Sequence, residues 1–289
     1  MEIIYRNREG GEIVFKQLPP FVITSKKGFA SVENEITTQK QYGLDGEFLV
    51  HQRLSSRELD IEGTVLGSSI DDLDEKRRQL SATLNPSLAG TLTYKVGERS
   101  FEIDVLVEQA PVMDESRSNL TENFSLSFKA IDPYWMDKSE EGRLVQLSSV
   151  VPKFKFPLQI INNFVFNDIS SGNITEISNE GDVVVGMTIE LQIRGAVTNP
   201  KILNVTTQEF FGFKGTYQSG MVLKIVTVRG KKEVTKTDNN ITVNAMKDRL
   251  PDSSFLQLQK GTNFFMVQAD VGVENIVGGV SFSPLIVGV

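Results

Sequence analysis

The sequence predicts a mainly β protein of two domains: an N-terminal antiparallel β domain with one α-helix and a C-terminal β-sandwich. Three observations support this fold class. The chain has 289 residues, which is enough for two ordinary domains. Its apolar residues mostly recur with a period of two, and one segment has the helical period. Charge is also divided unevenly, since residues 1–142 contain 25 acidic and 16 basic residues, against 12 and 14 in residues 143–289.

Strands with one apolar face account for most of the first domain. Leu59, Ile61 and Val65 alternate with polar residues, and the same alternation recurs in segments 92–96, 101–107 and 124–130. The short, glycine-led stretch 97–99 predicts a hairpin between the first two of these segments. We therefore expect antiparallel strands that bury one face.

The helix is predicted at residues 70–84, where apolar residues have three- and four-residue spacing. Ser69 and Asp72 have the spacing of a capping box, and Asn85-Pro86 ends the helix. Arg77 falls on the apolar stripe, where its aliphatic stem is expected to snorkel towards water.

Two polar stretches of the first domain, residues 33–47 and 108–123, lack a periodic apolar face. Such segments on a rigid sheet are either surface loops or arms that become ordered against a neighbouring molecule. Under the second interpretation, the expected oligomer-interface residues are Glu33, Gln41, Tyr42, Val112, Met113 and Arg117.

Beyond a boundary near residues 137–155, short apolar segments are separated by glycine and asparagine, which is typical of a β-sandwich. The predicted strands are 156–161, 187–194, 201–207, 221–228, 241–243, 255–258 and 263–269. The predicted domains are therefore 1–142 and 143–289.

The composition excludes most catalytic chemistries. The chain has no cysteine and one histidine, His51, so thiolate catalysis, cysteine-based metal sites and two-histidine metal sites are excluded. We expect no catalytic residue, cofactor or metal site. The net charge of −7 disfavours specific binding of nucleic acid, and the absence of any run of 18 apolar residues predicts no membrane span.

An aromatic cluster leaves an alternative function open. Phe211, Phe213 and Tyr217 could form a stacking surface for a sugar ring, as in a carbohydrate-binding module that recognises cell-wall or surface glycans. Aromatic side chains packed in a sandwich core produce the same pattern, and this is the favoured interpretation.

The segment IDPYW at 131–135, directly after a predicted strand, resembles the signature that closes the first domain of siphophage distal tail proteins. The strand at 57–65, the capped helix and Asn85-Pro86 follow that family's order. Asn199-Pro200, Ser219-Gly220 and the segment 253–263 resemble its second domain.

This resemblance implies a structural protein of the phage tail tip with a galectin-like second domain. It implies a homo-hexameric ring, single or stacked, that joins the tail tube protein to the tail-associated hub protein and carries receptor-binding or other baseplate components. The protein would be made in the cytoplasm of a bacterial host and function in the virion. An acidic ring could also let DNA pass without binding it. Since Trp135 and His51 both lie in the first domain, the second lacks two elements of a galectin sugar site.

Overall fold

The computed structural model describes residues 1–114, 120–140, 142, 144–147, 149–152, 167–170 and 174–289. The chain divides into two units, the first comprising Met1–Ser139 and Leu285–Val289 and the second Glu140–Pro284. The bounds of these units differ from the predicted domains 1–142 and 143–289 at both ends of the second domain. The last five residues belong to the first unit because they form a strand that pairs there, a long-range contact that local patterns do not reveal.

The first unit is built on one antiparallel sheet. Its strands are β1 (Glu2–Asn7), β2 (Glu12–Phe15), β3 (Phe21–Lys27), β4 (Asn34–Gln39), β5 (Phe48–Leu54), β6 (Arg57–Leu66), β7 (Ala89–Val96), β8 (Arg99–Val107), β9 (Val112–Met113), β10 (Thr121–Ala130), β11 (Trp135–Asp137) and β26 (Leu285–Ile286). The main path of the sheet is β2-β1-β7-β8-β10-β6-β3, with β9, β11 and β26 paired beside it and β4–β5 forming a separate hairpin. The four predicted strands lie in β6, β7, β8 and β10, and Gly97-Glu98 turns β7 into β8.

Alternation along the strands builds the core of the first unit. Residues of β6 are alternately buried and more exposed over its whole length. On β6 and β10, two charged residues interrupt the apolar inner face. Arg57 continues the inward series of Leu59 and Ile61, and Glu122 lies one inward position before Phe124; they are 1% and 3% exposed. Each therefore requires a compensating partner.

Helix α1 spans Ile70–Thr83 and ends one residue before the predicted Leu84, whose N–H still donates to Leu80 O at 3.0 Å. The Ser69 hydroxyl accepts from the Asp72 N–H at 3.1 Å, as expected for an N-cap. The Asp72 carboxylate accepts from Ser68 rather than Ser69, which differs from an ideal capping box. Arg77 does not simply snorkel, because its Nε lies 2.8 Å from the Glu122 carboxylate.

The second unit is also built from short strands. These are β12 (Val145–Gln146), β13 (Ser149–Pro152), β14 (Asn167–Ser170), β15 (Thr175–Asn179), β16 (Thr188–Ile193), β17 (Val197–Thr198), β18 (Lys201–Asn204), β19 (Glu209–Gly212), β20 (Thr216–Tyr217), β21 (Val222–Val226), β22 (Glu233–Asp238), β23 (Ile241–Asn244), β24 (Gly261–Gln268) and β25 (Ile276–Ser281). One sheet has the order β12-β25-β16-β21-β22-β23 and the other β15-β24-β18-β19, with two smaller pairs, β13–β14 and β17–β20. Short 3₁₀ helices occur at Lys138–Glu140, Met246–Asp248 and Val273–Asn275.

The two main sheets of the second unit face each other. A Cβ added to Gly278 of β25 would lie 3.1 Å from Val267 Cγ2 of β24, so a side chain there would press into the opposite sheet. The mainly β fold with one helix is thereby confirmed for the described residues. Predicted segments 187–194, 201–207 and 221–228 contain β16, β18 and β21, and segments 241–243 and 263–269 overlap β23 and β24. Residues 255–258 form no strand, since only Leu258 makes a single bridge, to Val185, and segment 156–161 lies outside the described residues.

Candidate assembly surface

The hairpin β4–β5 is the most exposed element of the first unit. No residue of either strand is buried, and only Leu54 is partly covered. Five large apolar side chains of the hairpin and its tip are 55–60% exposed: Ile36, Leu44, Phe48, Leu49 and Val50. Tyr42, at the tip, is fully exposed. Contiguous exposed apolar residues of this kind mark an interaction surface rather than a solvated loop.

A β-bulge gives the hairpin two chemically different faces. Residues directly paired across antiparallel strands point to the same face. The pairing advances from Thr37↔His51 to Thr38↔Leu49, which skips Val50. This shift places Leu49 on the same face as Ile36, and Leu54 also lies there as the partner of Asn34. This face, which we call the apolar face, carries Ile36, Leu49 and Leu54 beside the polar Asn34, Thr38 and Gln52.

The opposite face, which we call the polar face, carries one large apolar side chain, Phe48, among polar and charged ones. It carries Thr37, His51 and an ion pair in which Arg53 Nε lies 2.6 Å from Glu35 Oε2. Hydrogen bonding to Arg53 and its positive charge hold the pKa of Glu35 below its ordinary value. At the base, Ser55 N–H donates to Glu33 O at 2.9 Å. Ile36 and Leu49, exposed side by side on the apolar face, are therefore the part of the hairpin that we expect another molecule to cover.

The predicted interface residues of the first polar stretch, 33–47, all belong to this hairpin or its base. Glu33 closes the base, and Gln41 and Tyr42 lie at the exposed tip. The polar composition of residues 33–47 did not predict the apolar face, because most of its apolar residues belong to β5, which lies beyond that stretch. The available signal was the segment FLVHQRL at 48–54, which begins with three consecutive apolar residues.

Part of the second polar stretch, 108–123, pairs with the sheet of the first unit. Strand β9 pairs with β10, with Val112 opposite Ser125 and Met113 opposite Phe124. Val112 is 50% exposed, whereas Met113 packs against the core. Met113, predicted from the sequence as an interface residue, is thus partly buried against the core, because strand alternation turns it inward. Arg117 lies outside the described residues.

The three aromatic residues of the alternative glycan surface are buried. Phe211 and Phe213 have no exposed surface and Tyr217 almost none. Their rings pack edge to face, with centroids 5.6 Å apart for Phe211–Phe213 and 6.1 Å for Phe213–Tyr217. Burial and the Asp248 carboxylate raise the pKa of Tyr217 to about 12. A stacking platform for sugar requires open ring faces, so this assignment is corrected to core packing.

The described residues offer no metal-binding group of three or more His, Asp or Glu side chains. His51, the one histidine, lies exposed on the polar face of the hairpin. Within the part of the chain that the structure describes, no helix combines the length and the apolar composition needed to span a bilayer.

Sequence reasoning missed one residue that supports this surface. Arg57, two residues beyond Ser55, is buried and donates to backbone carbonyls at the base of the hairpin. Extending the alternation of Leu59 and Ile61 one step towards the N-terminus places Arg57 on the buried face. An arginine at an inward-facing strand position was the available signal.

Comparisons with known proteins agree with this architecture. Residues 8–130 match the family model of a phage tail protein RIFT-related domain, and residues 180–277 match that of the C-terminal domain of a siphovirus-type tail component. No curated protein sequence matches the chain significantly.

Solved structures share the fold at low sequence identity. The crystal structure of phage SPP1 Dit is 13% identical with a TM-score of 0.69, and the match covers 98% of each chain. A chain of the phage P2 baseplate, activated with calcium, is 11% identical with a TM-score of 0.54, covering 100% of this chain and 99% of that one. The strontium form of that baseplate gives 10% identity and a TM-score of 0.53, with the same coverage.

The fold and the two family matches define a structural component of a phage tail. More specifically, the chain belongs to the distal tail proteins of siphophages. The suggested galectin likeness of its second unit stays a prediction.

Proposed function

We propose that this protein acts at the phage tail tip by assembling copies of itself into a closed homo-hexameric ring, single or stacked. The observation that carries the proposal is the exposed hairpin with one apolar face. A ring requires a heterologous interface, in which one surface of each copy covers a different surface of the next. An exposed hairpin, the arm, whose apolar face is uncovered in the single chain meets the first half of that requirement.

We further propose that the ring joins the tail tube protein to the tail-associated hub protein and carries receptor-binding or other baseplate components. The SPP1 relative is described as a paradigm of the hub adsorption apparatus of phages that infect Gram-positive bacteria, and the P2 relatives are parts of a baseplate. The protein would be made in the bacterial host's cytoplasm and would act in the virion through its assembly, without catalysis. The composition and the exposed, isolated position of His51 support this part of the proposal.

The test compares two substitutions on opposite faces of the same hairpin. Leu49→Asp places a charge on the apolar face, and Thr37→Asp places the same charge on the polar face. Assembly of the full chain is measured by light scattering over a range of concentrations, with electron microscopy of the particles formed. We expect Leu49→Asp to raise the concentration needed for assembly at least about tenfold, and Thr37→Asp to have a much smaller effect.

Equal assembly of both variants would show that the hairpin face is not an interface. A wild-type chain that stays monomeric at all concentrations, and is absent from ring-shaped particles, would contradict the ring itself. Both variants carry the same net charge, so non-specific electrostatic effects cancel in the comparison.

Passage of DNA through the ring is a further part of the proposal. Residues 1–142 have nine more acidic than basic residues. On β6, Glu58 and Glu62 are exposed on the face opposite the core. A negatively charged wall repels phosphate and would let DNA slide. Appreciable affinity of the assembled protein for duplex DNA at low salt would contradict this role.

A further inference from the structure

The guanidinium of Arg57 is a buried junction of backbone segments. Its Nε donates to Pro133 O at 2.8 Å, and its Nη2 donates to Val287 O. Its Nη1 lies 2.6 Å from Gly28 O, 3.2 Å from Phe29 O and 3.1 Å from Ser31 O. All five partners within the described chain are neutral carbonyl oxygens, so they must together replace the water that the cation loses on burial.

Three of these carbonyls belong to the segment that leads into the hairpin. Residues 28–31 are separated by Val32 alone from Glu33, whose carbonyl closes the base of the hairpin with Ser55 N–H. Arg57 itself follows the hairpin's second strand, which ends at Leu54. Both ends of the arm are therefore attached to one guanidinium.

The last five residues, Leu285–Val289, complete the same junction, and we call them the strap. Ile286 of the strap pairs with Trp135, and Val289 N–H donates to Phe29 O at 3.1 Å. A Cβ on Gly288 would lie 2.2 Å from Ala30 O, so the strap approaches the lead-in segment as closely as backbones permit. Residues 28–31 are thus held by Arg57 on one side and by the strap on the other.

Removing one member of this junction leaves other members without a hydrogen-bond partner. Without the strap, Arg57 Nη2 loses its carbonyl, and Phe29 O loses one of its donors. An unsatisfied buried donor on a charged group is destabilising, and the nearest relief is movement of the lead-in segment. The main sheet is paired through β1, β7, β8, β10 and β6 independently of the strap.

We infer that Arg57 and the strap form a latch that fixes the direction of the hairpin, so that the arm is set for assembly only when the strap is seated. This inference rests on the proposed assembly through the hairpin and deepens it by naming the positioning residue and segment. Since the strap follows the second unit in sequence, the latch makes assembly depend on the chain having been made through both units.

The experiment measures arm direction and assembly separately. The natural chain has no cysteine, so nitroxide labels can be placed at the hairpin tip with Asp45→Cys and at the β7–β8 turn with Glu98→Cys, both exposed. Pulsed electron paramagnetic resonance at a concentration where the protein is monomeric then gives the distribution of distances between the labels. Light scattering of the unlabelled full chain gives the concentration needed for assembly.

Three changes disturb the latch to different degrees: Arg57→Lys, Gly288→Ala and deletion of residues 285–289. The matched control is Arg78→Lys, on an exposed face of α1. We expect each latch variant to broaden the distance distribution and to raise the concentration needed for assembly about tenfold or more, with hydrogen exchange of β7 and β8 unchanged. The control should match the wild type in all three measurements.

A narrow, unshifted distance distribution in Gly288→Ala and Arg57→Lys would overturn the latch, even if assembly by the wild type is established. So would a general loss of protection in β7 and β8 in both of these mild variants, since the junction would then stabilise the whole unit rather than direct the arm. Failure of the wild type to assemble would instead count against the proposed function, because the distance measurement does not depend on assembly.

Discussion

Arg77 and Glu122 neutralise each other across the contact between α1 and the sheet of the first unit, with Arg77 Nε 2.8 Å from Glu122 Oε2. The Glu122 side chain is almost completely buried, and neither of its oxygens accepts a well-aligned hydrogen bond from the described residues. The charge of Arg77 is therefore the main compensation for a carboxylate that β10 turns inward.

We predict that Arg77→Met will destabilise the first unit by about 2–3 kcal/mol, because a buried carboxylate is left without its counter-charge. The free energy of unfolding in urea at pH 7 measures the loss. The double variant R77M/E122M should recover most of it, since replacing both partners by apolar groups removes the unpaired charge. A double variant as unstable as the sum of the two single variants would show that the pair is not coupled.

Acid should weaken the start of α1 through Asp72. Hydrogen bonds from Lys76 and from the backbone and hydroxyl of Ser68 lower the pKa of Asp72 from 3.8 to about 2. A depressed pKa contributes stability that is present above about pH 4 and is lost as the pH falls towards 2. The difference in Tm between wild type and Asp72→Asn should therefore be largest above pH 4 and shrink between pH 4 and 2. A difference that does not vary with pH would contradict the assignment.

Neighbouring residues of β9 should respond differently to the same charge. Met113→Asp buries a carboxylate against the core and should lower stability by about 2 kcal/mol or more, whereas Val112→Asp should leave the free energy of unfolding within about 0.5 kcal/mol. If the second polar stretch, 108–123, contributes to the subunit interface, Val112→Asp will also weaken assembly in light scattering. Equal destabilisation by both substitutions would show that the alternation seen in β9 is not maintained in solution.

Truncation of the aromatic cluster in the second unit should affect folding. Phe213 is fully buried between Phe211 and Tyr217, so Phe213→Ala should destabilise the second unit by about 3–5 kcal/mol. Thermal unfolding measures this loss. A stable Phe213→Ala variant that has lost affinity for a cell-wall glycan would restore the carbohydrate-binding alternative.

Alkaline stability should depend on Tyr217. Its pKa is raised to about 12 by burial and by Asp248, above the ordinary value of 10. A raised pKa contributes stability that is complete below about pH 10 and is lost as the pH rises towards 12. Tyr217→Phe should remove this part of the pH dependence, while its Tm at pH 7 falls slightly because the hydroxyl no longer donates to Lys214 O. Parallel Tm curves for the two proteins between pH 8 and 11 would contradict the prediction.

Local sequence patterns predicted the strands and the helix whose formation depends on neighbouring residues. The alternation of Leu59, Ile61 and Val65 gives β6 because side chains alternate between faces in any strand, and Ser69 marks the start of α1 because the first helical N–H groups require an acceptor. Residues 255–258 show the limit of this reasoning. Their alternate burial is real, but no partner strand lies beside them to complete the pairing.

The candidate surface was predicted only in outline. Tyr42, predicted as an interface residue, is fully exposed at the hairpin tip, but the polar sequence of 33–47 gave no indication of the apolar face. That face depends on the bulge at Val50, which changes the phase of β5 relative to β4. Met113 was misplaced for a related reason, since the short pairing of β9 with β10 decides which of two adjacent residues turns inward.

The sequence by itself determined the mainly β character, the capped helix and the absence of cysteine chemistry, because periodicity, capping and composition are properties of neighbouring residues. Only the tertiary structure decided that Leu285–Val289 return to the first unit, and that Arg57 joins them to the base of the hairpin. Arg57 and Val287, which meet there, are separated by 230 positions in the chain. A buried guanidinium requires several hydrogen-bond acceptors. In this fold the acceptors come from segments that are far apart in the chain, and no local sequence pattern predicts such contacts.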